Sequence, residues 1–182
     1  MKAETCRGRL WEFAAGQYGY VRAADARGLG IPVVELGKLS ARGLIRQVAY
    51  GLYRFDDLPP SRFDQFFEAV ARVGEDAHLT GDAVLALHEL AQVNPNFVRV
   101  GTTRRVRAKL PGWITVVRET LPDEDLTSYE LIPSATVTSA IRSCRGTVMS
   151  DRLLGAVDDA RRQGLLTAAE QIELRAELEK AS

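Results

Sequence analysis

The segment Ile31-Pro32-Val33-Val34-Glu35-Leu36-Gly37-Lys38-Leu39-Ser40-Ala41-Arg42-Gly43-Leu44-Ile45-Arg46-Gln47-Val48-Ala49-Tyr50-Gly51-Leu52-Tyr53-Arg54 sets the architecture of the chain. Its first part reads as a short helix. Proline suits a first turn, where its missing N–H costs no hydrogen bond, and Val33, Leu36 and Leu39 recur at helical spacing as an inward stripe. Gly43 stops that helix. Two short strands follow, Leu44 to Val48 and Leu52 to Phe55, joined across Ala49-Tyr50-Gly51, with Gly51 supplying the turn conformation of a tight hairpin. A helix that runs directly into a β-hairpin, with basic residues on both, is the second half of a winged helix-turn-helix. In that arrangement Pro32, Glu35, Lys38 and Arg42 lie on or near the outward face of the helix, available to a major groove. Arg46 lies in the first wing strand, whose imperfect alternation leaves its direction open, and Tyr50 marks the wing tip.

Upstream, Arg7 to Gln17 carries Leu10, Trp11, Phe13 and Ala14 at spacings of three and four, a short amphipathic helix ended by Gly16 and Gly19. Tyr20-Val21 is an extended pair of the kind that joins a wing. A second helix is expected from Arg22 to Arg27, with Gly28-Leu29-Gly30 as the turn into the third. Residues 1–58 therefore read as a winged helix-turn-helix domain, and Leu58-Pro59-Pro60 as a linker, since consecutive prolines continue neither helix nor strand.

Residues 59–182 read as a second domain, an α/β arrangement of helices around a small sheet, so the fold class of the chain is α+β. A helix is expected from Arg62 to Val73, with Phe63, Phe66, Phe67 and Val70 as an interdomain or second-domain core. Another is expected from Leu79 to Val93 with Thr80 as N-cap, broken by Asn94-Pro95-Asn96. Three extended runs follow: Phe97 to Val100, Arg104 to Lys109 and Trp113 to Val117. In the middle one Arg105, Arg107 and Lys109 alternate to one face beside Arg104, either a second phosphate-contacting surface or the exposed face of a sheet. Helices from Ser134 to Ser143, Asp151 to Gln163 and Thr167 to Lys180 close the chain. The last begins with a capping-box spacing, Thr167 to Glu170.

With 182 residues and 46% hydrophobic content the chain has enough material for a core. Lys plus Arg equal Asp plus Glu at 24 each, which at first argues against a nucleic-acid partner. The distribution is uneven: nine basic against six acidic residues in 1–58, eight against six in 59–118, and seven against twelve in 119–182. The first two thirds are mildly basic and the last third acidic, and the winged segment lies in the basic part. Two cysteines, Cys6 and Cys144, fit no metal-ligand spacing and read as reduced thiols of a cytoplasmic protein. No apolar run approaches the roughly 20 residues of a membrane span. His78 and His88 lack a cysteine or carboxylate at ligand spacing, the Asp123-Glu124-Asp125 cluster reads as a solvated loop, and neither a phosphate-binding glycine loop nor a dinucleotide fingerprint is present. Catalytic, metal and cofactor sites are therefore not expected.

Several motifs together resemble one family. Gly30-Ile31, Leu36, Leu39, Arg42-Gly43-Leu44-Ile45 and Gly51-Leu52-Tyr53 are similar to the N-terminal winged helix of the AbiEi-type antitoxins of bacterial toxin-antitoxin systems. Thr80-Gly81-Asp82-Ala83-Val84-Leu85-Ala86-Leu87-His88, Phe97-Val98-Arg99-Val100, Arg104-Arg105-Val106-Arg107 and Ile132-Pro133-Ser134-Ala135-Thr136 resemble the antitoxin domain that follows it. Two departures stand out. Relatives often carry an Asp in the helix after the Ile-Pro pair, whereas Ala140 to Cys144 has none, and Tyr50 stands at a wing tip that is often basic. The resemblance implies binding to double-stranded DNA at operator inverted repeats, repression of its own operon, and neutralisation of a cognate nucleotidyltransferase-like toxin. It also implies a monomer in solution or a cooperative assembly on DNA. The alternative is a winged-helix transcription regulator whose second domain binds a ligand or protein, with no toxin partner. An enzyme using the winged helix for targeting lacks a catalytic constellation.

Overall fold

A computed structural model of the chain describes residues 5–93 and 96–180. They form two compact units that divide between Glu68 and Ala69.

The first unit opens with helix α1 (Cys6–Ala15), where the Thr5 hydroxyl accepts a hydrogen bond from the Gly8 N–H at 3.1 Å. Leu10 and Ala14 are completely buried. Strand β1 (Tyr20–Arg22), helix α2 (Ala23–Gly28), helix α3 (Val33–Ala41) and the strands β2 (Arg46–Ala49) and β3 (Leu52–Arg54) follow. The sheet order is β1-β3-β2, antiparallel throughout, so the extended pair expected at Tyr20-Val21 does join the wing. Val21, Ala26, Ile31, Leu36, Ile45 and Phe55 share the core with α1. The chain turns from α2 into α3 at Gly30, whose φ of +69° is accessible to glycine at no steric cost.

The wing differs from expectation at its first strand, which begins at Arg46 and not at Leu44. Ile45 is buried at 4% exposure and Leu44 points outward at 41%, so the helix-to-wing junction is anchored by one side chain before pairing starts. A bulge between Gln47 and Ala49 accounts for the irregular alternation, because an extra residue shifts the faces by one position. The rings at the start of helix α4 (Asp64–Val73) take the first of the two places expected for them, packing from beyond residue 58 onto the winged segment. Phe67, 3% exposed, sits 5.3 Å from Tyr18 and 5.5 Å from Tyr20, and Phe63 lies 6.0 Å from Tyr18. These two rings belong to the first unit and not to a second-domain core. The division falls inside α4, past the Leu58-Pro59-Pro60 segment.

The second unit is built on a five-stranded mixed sheet of order β6-β5-β4-β8-β7. Its strands are β4 (His78–Leu79), β5 (Val98–Thr102), β6 (Ile114–Arg118), β7 (Leu126–Tyr129) and β8 (Ile132–Ala135), and its helices α5 (Asp82–Leu87), α6 (Val137–Ser143), α7 (Ser150–Arg162) and α8 (Ala168–Lys180). The helix expected from Leu79 to Val93 is largely replaced. Leu79, fully buried, pairs with Val100 on one side and Ser134 on the other, so strand pairing at the sheet centre overrides helical spacing. Only α5 is helical. Thr80 is buried, Gly81 is the N-cap, and Glu89, Ala91 and Gln92 adopt positive φ, where a right-handed helix cannot continue. Of the break expected at Asn94-Pro95-Asn96, the first two residues lie outside the described ones.

Two further expectations are corrected. Arg104 to Lys109 is not a strand: β5 and β6 are parallel neighbours, and a parallel pair requires a crossover from the end of one to the start of the other. Residues 103–113 are that crossover. Ile132 to Ala135 is a strand and not a helix start; α6 begins at Val137, with the Thr136 hydroxyl accepting from the Ser139 N–H at 3.3 Å. Helix α7 is close to its expected span. The capping box at α8 is present as read, with Thr167 N–H and O–H donating to Glu170 at 2.8 and 2.6 Å and the Glu170 N–H donating to the Thr167 hydroxyl at 3.2 Å.

Candidate nucleic-acid interface

Helix α3 turns by about 100° per residue, so burial of Leu36 and Leu39 fixes which side chains point away from the core. Val34, Lys38 and Ala41 form the centre of the outward face, with exposed Gly37 on one flank and Arg42 on the other. The residues expected there from sequence are Pro32, Glu35, Lys38 and Arg42. Pro32 is the exposed N-cap and Arg42 the exposed C-cap, while Glu35 is half-buried at the edge. Lys38 Nζ donates to Glu35 Oε1 at 2.7 Å, so the two charges in the middle of α3 neutralise each other. Arg42 has no side-chain partner among the described residues. Val34, Gly37 and Ala41 escape a reading guided by charge, and counting the helical period outward from the Leu36-Leu39 stripe finds them.

The wing carries the next group. Arg46 is the first residue of β2, and its Nε and Nη2 each donate to the Asp56 carboxylate at 3.0 Å, a bidentate arrangement that resolves its open direction. Arg54, 8% exposed, donates to Asp56 at 3.2 Å and to Asp64 at 2.8 Å. The hydrogen bond from Arg46, helped by that from Arg54, holds the Asp56 carboxyl below the usual carboxylate range. Tyr50 stands fully exposed at the tip, followed by Gly51 at φ +66°. Tyr20 donates its hydroxyl to Glu68 at 2.5 Å, and burial raises its pKa far above the ordinary tyrosine value. The wing is thus a hairpin tied at its base by ion pairs, with one aromatic ring projecting.

The second basic group is separate in sequence and unit. Arg104, Arg105, Arg107 and Lys109 are all exposed on the 103–113 crossover. Arg104 is loosely opposed by Asp76, with Nε 3.8 Å from Oδ1. That carboxylate is committed mainly to Thr103 and Thr102, whose hydroxyls donate at 2.7 and 3.0 Å. Arg105, Arg107 and Lys109 have no partner among the described residues. A groove of about 540 Å³ is lined by Arg104, Arg105 and Arg118 together with Val106, Leu110 and Val116.

Titratable groups elsewhere are engaged in structure. His78 is buried with Nε2 3.1 Å from Glu119 Oε1, and a Cβ on Gly101 would collide with both, so glycine makes room for the pair. The buried His88 ring packs 4.4 Å from that of Tyr129. Burial pushes the Cys144 thiol up to about 11, leaving it protonated at neutral pH and a poor nucleophile. Among the described residues no cluster of three His, Cys, Asp or Glu could hold a metal ion, and no helix is long and apolar enough to cross a membrane.

Three helices, a β1 strand closing a two-stranded wing, and an exposed third helix ahead of that wing define the first unit as a winged helix-turn-helix, the class of domain that reads double-stranded DNA. Comparison shows a family likeness for this segment alone. Residues 9–55, from α1 to the end of the wing, match the family of transcriptional regulators described as AbiEi antitoxins. The resemblance seen in Arg42-Gly43-Leu44-Ile45 and Gly51-Leu52-Tyr53 falls within that match, and the family is one of regulators and not an enzyme class. The match spans 47 residues, 9 to 55 inclusive, of 182. No curated protein matches the chain.

Proposed function

We propose that this protein is a DNA-binding antitoxin that represses its own operon and counteracts a cognate nucleotidyltransferase-like toxin in the cytoplasm. One observation carries the reading: the segment that matches the AbiEi antitoxin regulators folds as a winged helix with α3 exposed along its outward face. In this mechanism α3 enters the major groove of an operator half-site and Tyr50 meets a sugar or phosphate beside it. Arg42 contacts the backbone. The 103–113 cations add phosphate contacts, either from one monomer or from molecules assembling cooperatively on inverted repeats. The second unit acts in neutralisation.

A mobility-shift titration with the upstream region of the gene, repeated over a salt series, tests the DNA claim. Binding that weakens with salt and falls on joint replacement of Lys38 and Arg42 by alanine is the expected result; no shift defeats it. Co-expression with the adjacent reading frame tests the toxin claim, which fails if that frame is harmless alone. A second reading, a regulator whose second unit binds a ligand or protein and which has no toxin, draws on one observation: the family match stops at Phe55. Rescue of growth in the co-expression assay decides between them.

A further inference from the structure

The outward face of α3 is short of the side chains that usually read bases. From Val33 to Ala41 there is no Arg, Asn or Gln, which excludes the bidentate contacts of Arg to guanine and of Asn or Gln to adenine. Lys38, the one cation in the helix, is held by Glu35 at 2.7 Å, and the same contact occupies the one carboxylate that could accept from cytosine. What remains at the centre of the face is methyl surface. Val34 is 61% exposed, the largest apolar group α3 shows to solvent, and it lies in the first turn. Recognition helices bring their N-terminal residues to base edges. Arg42 lies eight residues further on, about 12 Å along the axis, placed for phosphate and not for the bases that Val34 would meet.

The major groove offers one apolar feature that distinguishes bases, the C5 methyl of thymine. We propose that α3 reads its DNA through thymine methyl groups, with Val34 as the specificity-determining residue. This deepens the assignment of α3 as the recognition helix and rests on it. Gly37 supports the picture. A Cβ there would meet nothing within 4 Å, so no internal contact explains a glycine in mid-helix, where it costs about 1 kcal/mol relative to alanine. A bare backbone beside Val34 lets the helix sit close to the groove floor.

The test uses the full chain and a duplex from its own upstream region, footprinted to locate the protected half-sites. Within them thymine is replaced by uracil, which removes the methyl and leaves every hydrogen-bonding group. Wild-type affinity is expected to fall about fourfold for each contacted methyl, the equivalent of one buried methyl group. Val34→Ala, at an exposed position, is expected to fold as the wild type by circular dichroism, to bind thymine and uracil duplexes equally, and to keep the salt slope unchanged. Equal wild-type affinity for the two duplexes overturns the proposal, as does thymine discrimination that survives in Val34→Ala. Absence of binding to any duplex overturns the recognition-helix assignment itself, and is distinguished by the missing shift on unmodified DNA.

Discussion

The two basic regions of the molecule differ in what their charges are doing. On the winged helix, Lys38 is paired with Glu35, Arg46 is clamped by Asp56, and Arg54 is buried between Asp56 and Asp64. On the 103–113 crossover, Arg105, Arg107 and Lys109 have no partner among the described residues, and Arg104 is only loosely opposed at 3.8 Å. Internally neutralised surfaces contribute shape and contact; free guanidinium groups contribute counterion release. Sequence proximity to a DNA-reading motif is therefore a poor guide to where electrostatic affinity comes from. The wing supplies geometry, and the crossover supplies most of the uncommitted charge.

Stripping the crossover of its charge should change DNA binding most. Replacing Arg104, Arg105, Arg107 and Lys109 together by alanine should flatten the dependence of log affinity on log salt by about 0.9 for each phosphate lost, about three to four units for all four. Arg42→Ala should flatten it by about one. Mobility shifts between about 50 and 200 mM salt read both. A quadruple variant with the wild-type slope would remove the crossover from the interface and leave the winged helix to hold DNA alone.

Two glycines extend the contrast to packing. A Cβ on Gly101 would run into Glu119 and His78, whereas one on Gly37 meets open space. Gly101→Ala should therefore destabilise the second unit by about 1–3 kcal/mol through overpacking. Gly37→Ala should stabilise the first by about 0.5–1 kcal/mol while weakening operator binding. Urea unfolding gives the stabilities. If Gly37→Ala raised both stability and affinity, the backbone of α3 would not lie close to DNA.

The first unit is more legible in the sequence than the second, and the reasons are physical. Its elements are local: α1 to the wing follow the order of the chain, and Leu36, Leu39, Gly43 and Gly51 announce helix face, stop and turn. The start of β2 at Arg46 is the exception, because it depends on a bulge that sequence does not show. In the second unit the central strand is two residues long and takes its pairing from Val100 and Ser134, distant in sequence, so Leu79 has the look of a helical residue. The β7-β8 turn places Glu130 and Leu131 at positive φ without the Asn-Gly that would advertise it. The crossover cations are visible as residues but not as a loop, because only the parallel pairing of β5 with β6 forbids a strand between them. On α3, charge directs attention toward Glu35 and away from Val34 and Ala41, which burial places at the centre.

The clamp on Arg46 should show the weakest response. Asp56 is about half exposed, so its pair with Arg46 is worth less than about 1 kcal/mol, and Asp56→Asn should cost no more than that in urea unfolding. The sign with pH is fixed by the direction of the shift. The folded carboxyl titrates lower than the unfolded one, so its contribution is complete above about pH 4, the ordinary Asp range. It is lost as pH falls through the depressed folded value, and Asp56→Asn should abolish this part of the acid dependence. The effect on DNA should have the opposite sign. The neutral amide introduced by Asp56→Asn cannot hold Arg46 as a charge partner, which frees a guanidinium at the base of the wing, while Arg54 keeps Asp64 at 2.8 Å and the sheet keeps its buried anchor. A variant slightly less stable yet steeper in its salt dependence by about one unit would show that the wing withholds a phosphate contact in the free protein. An unchanged slope would leave Arg46 purely structural and make the contrast between the two regions complete.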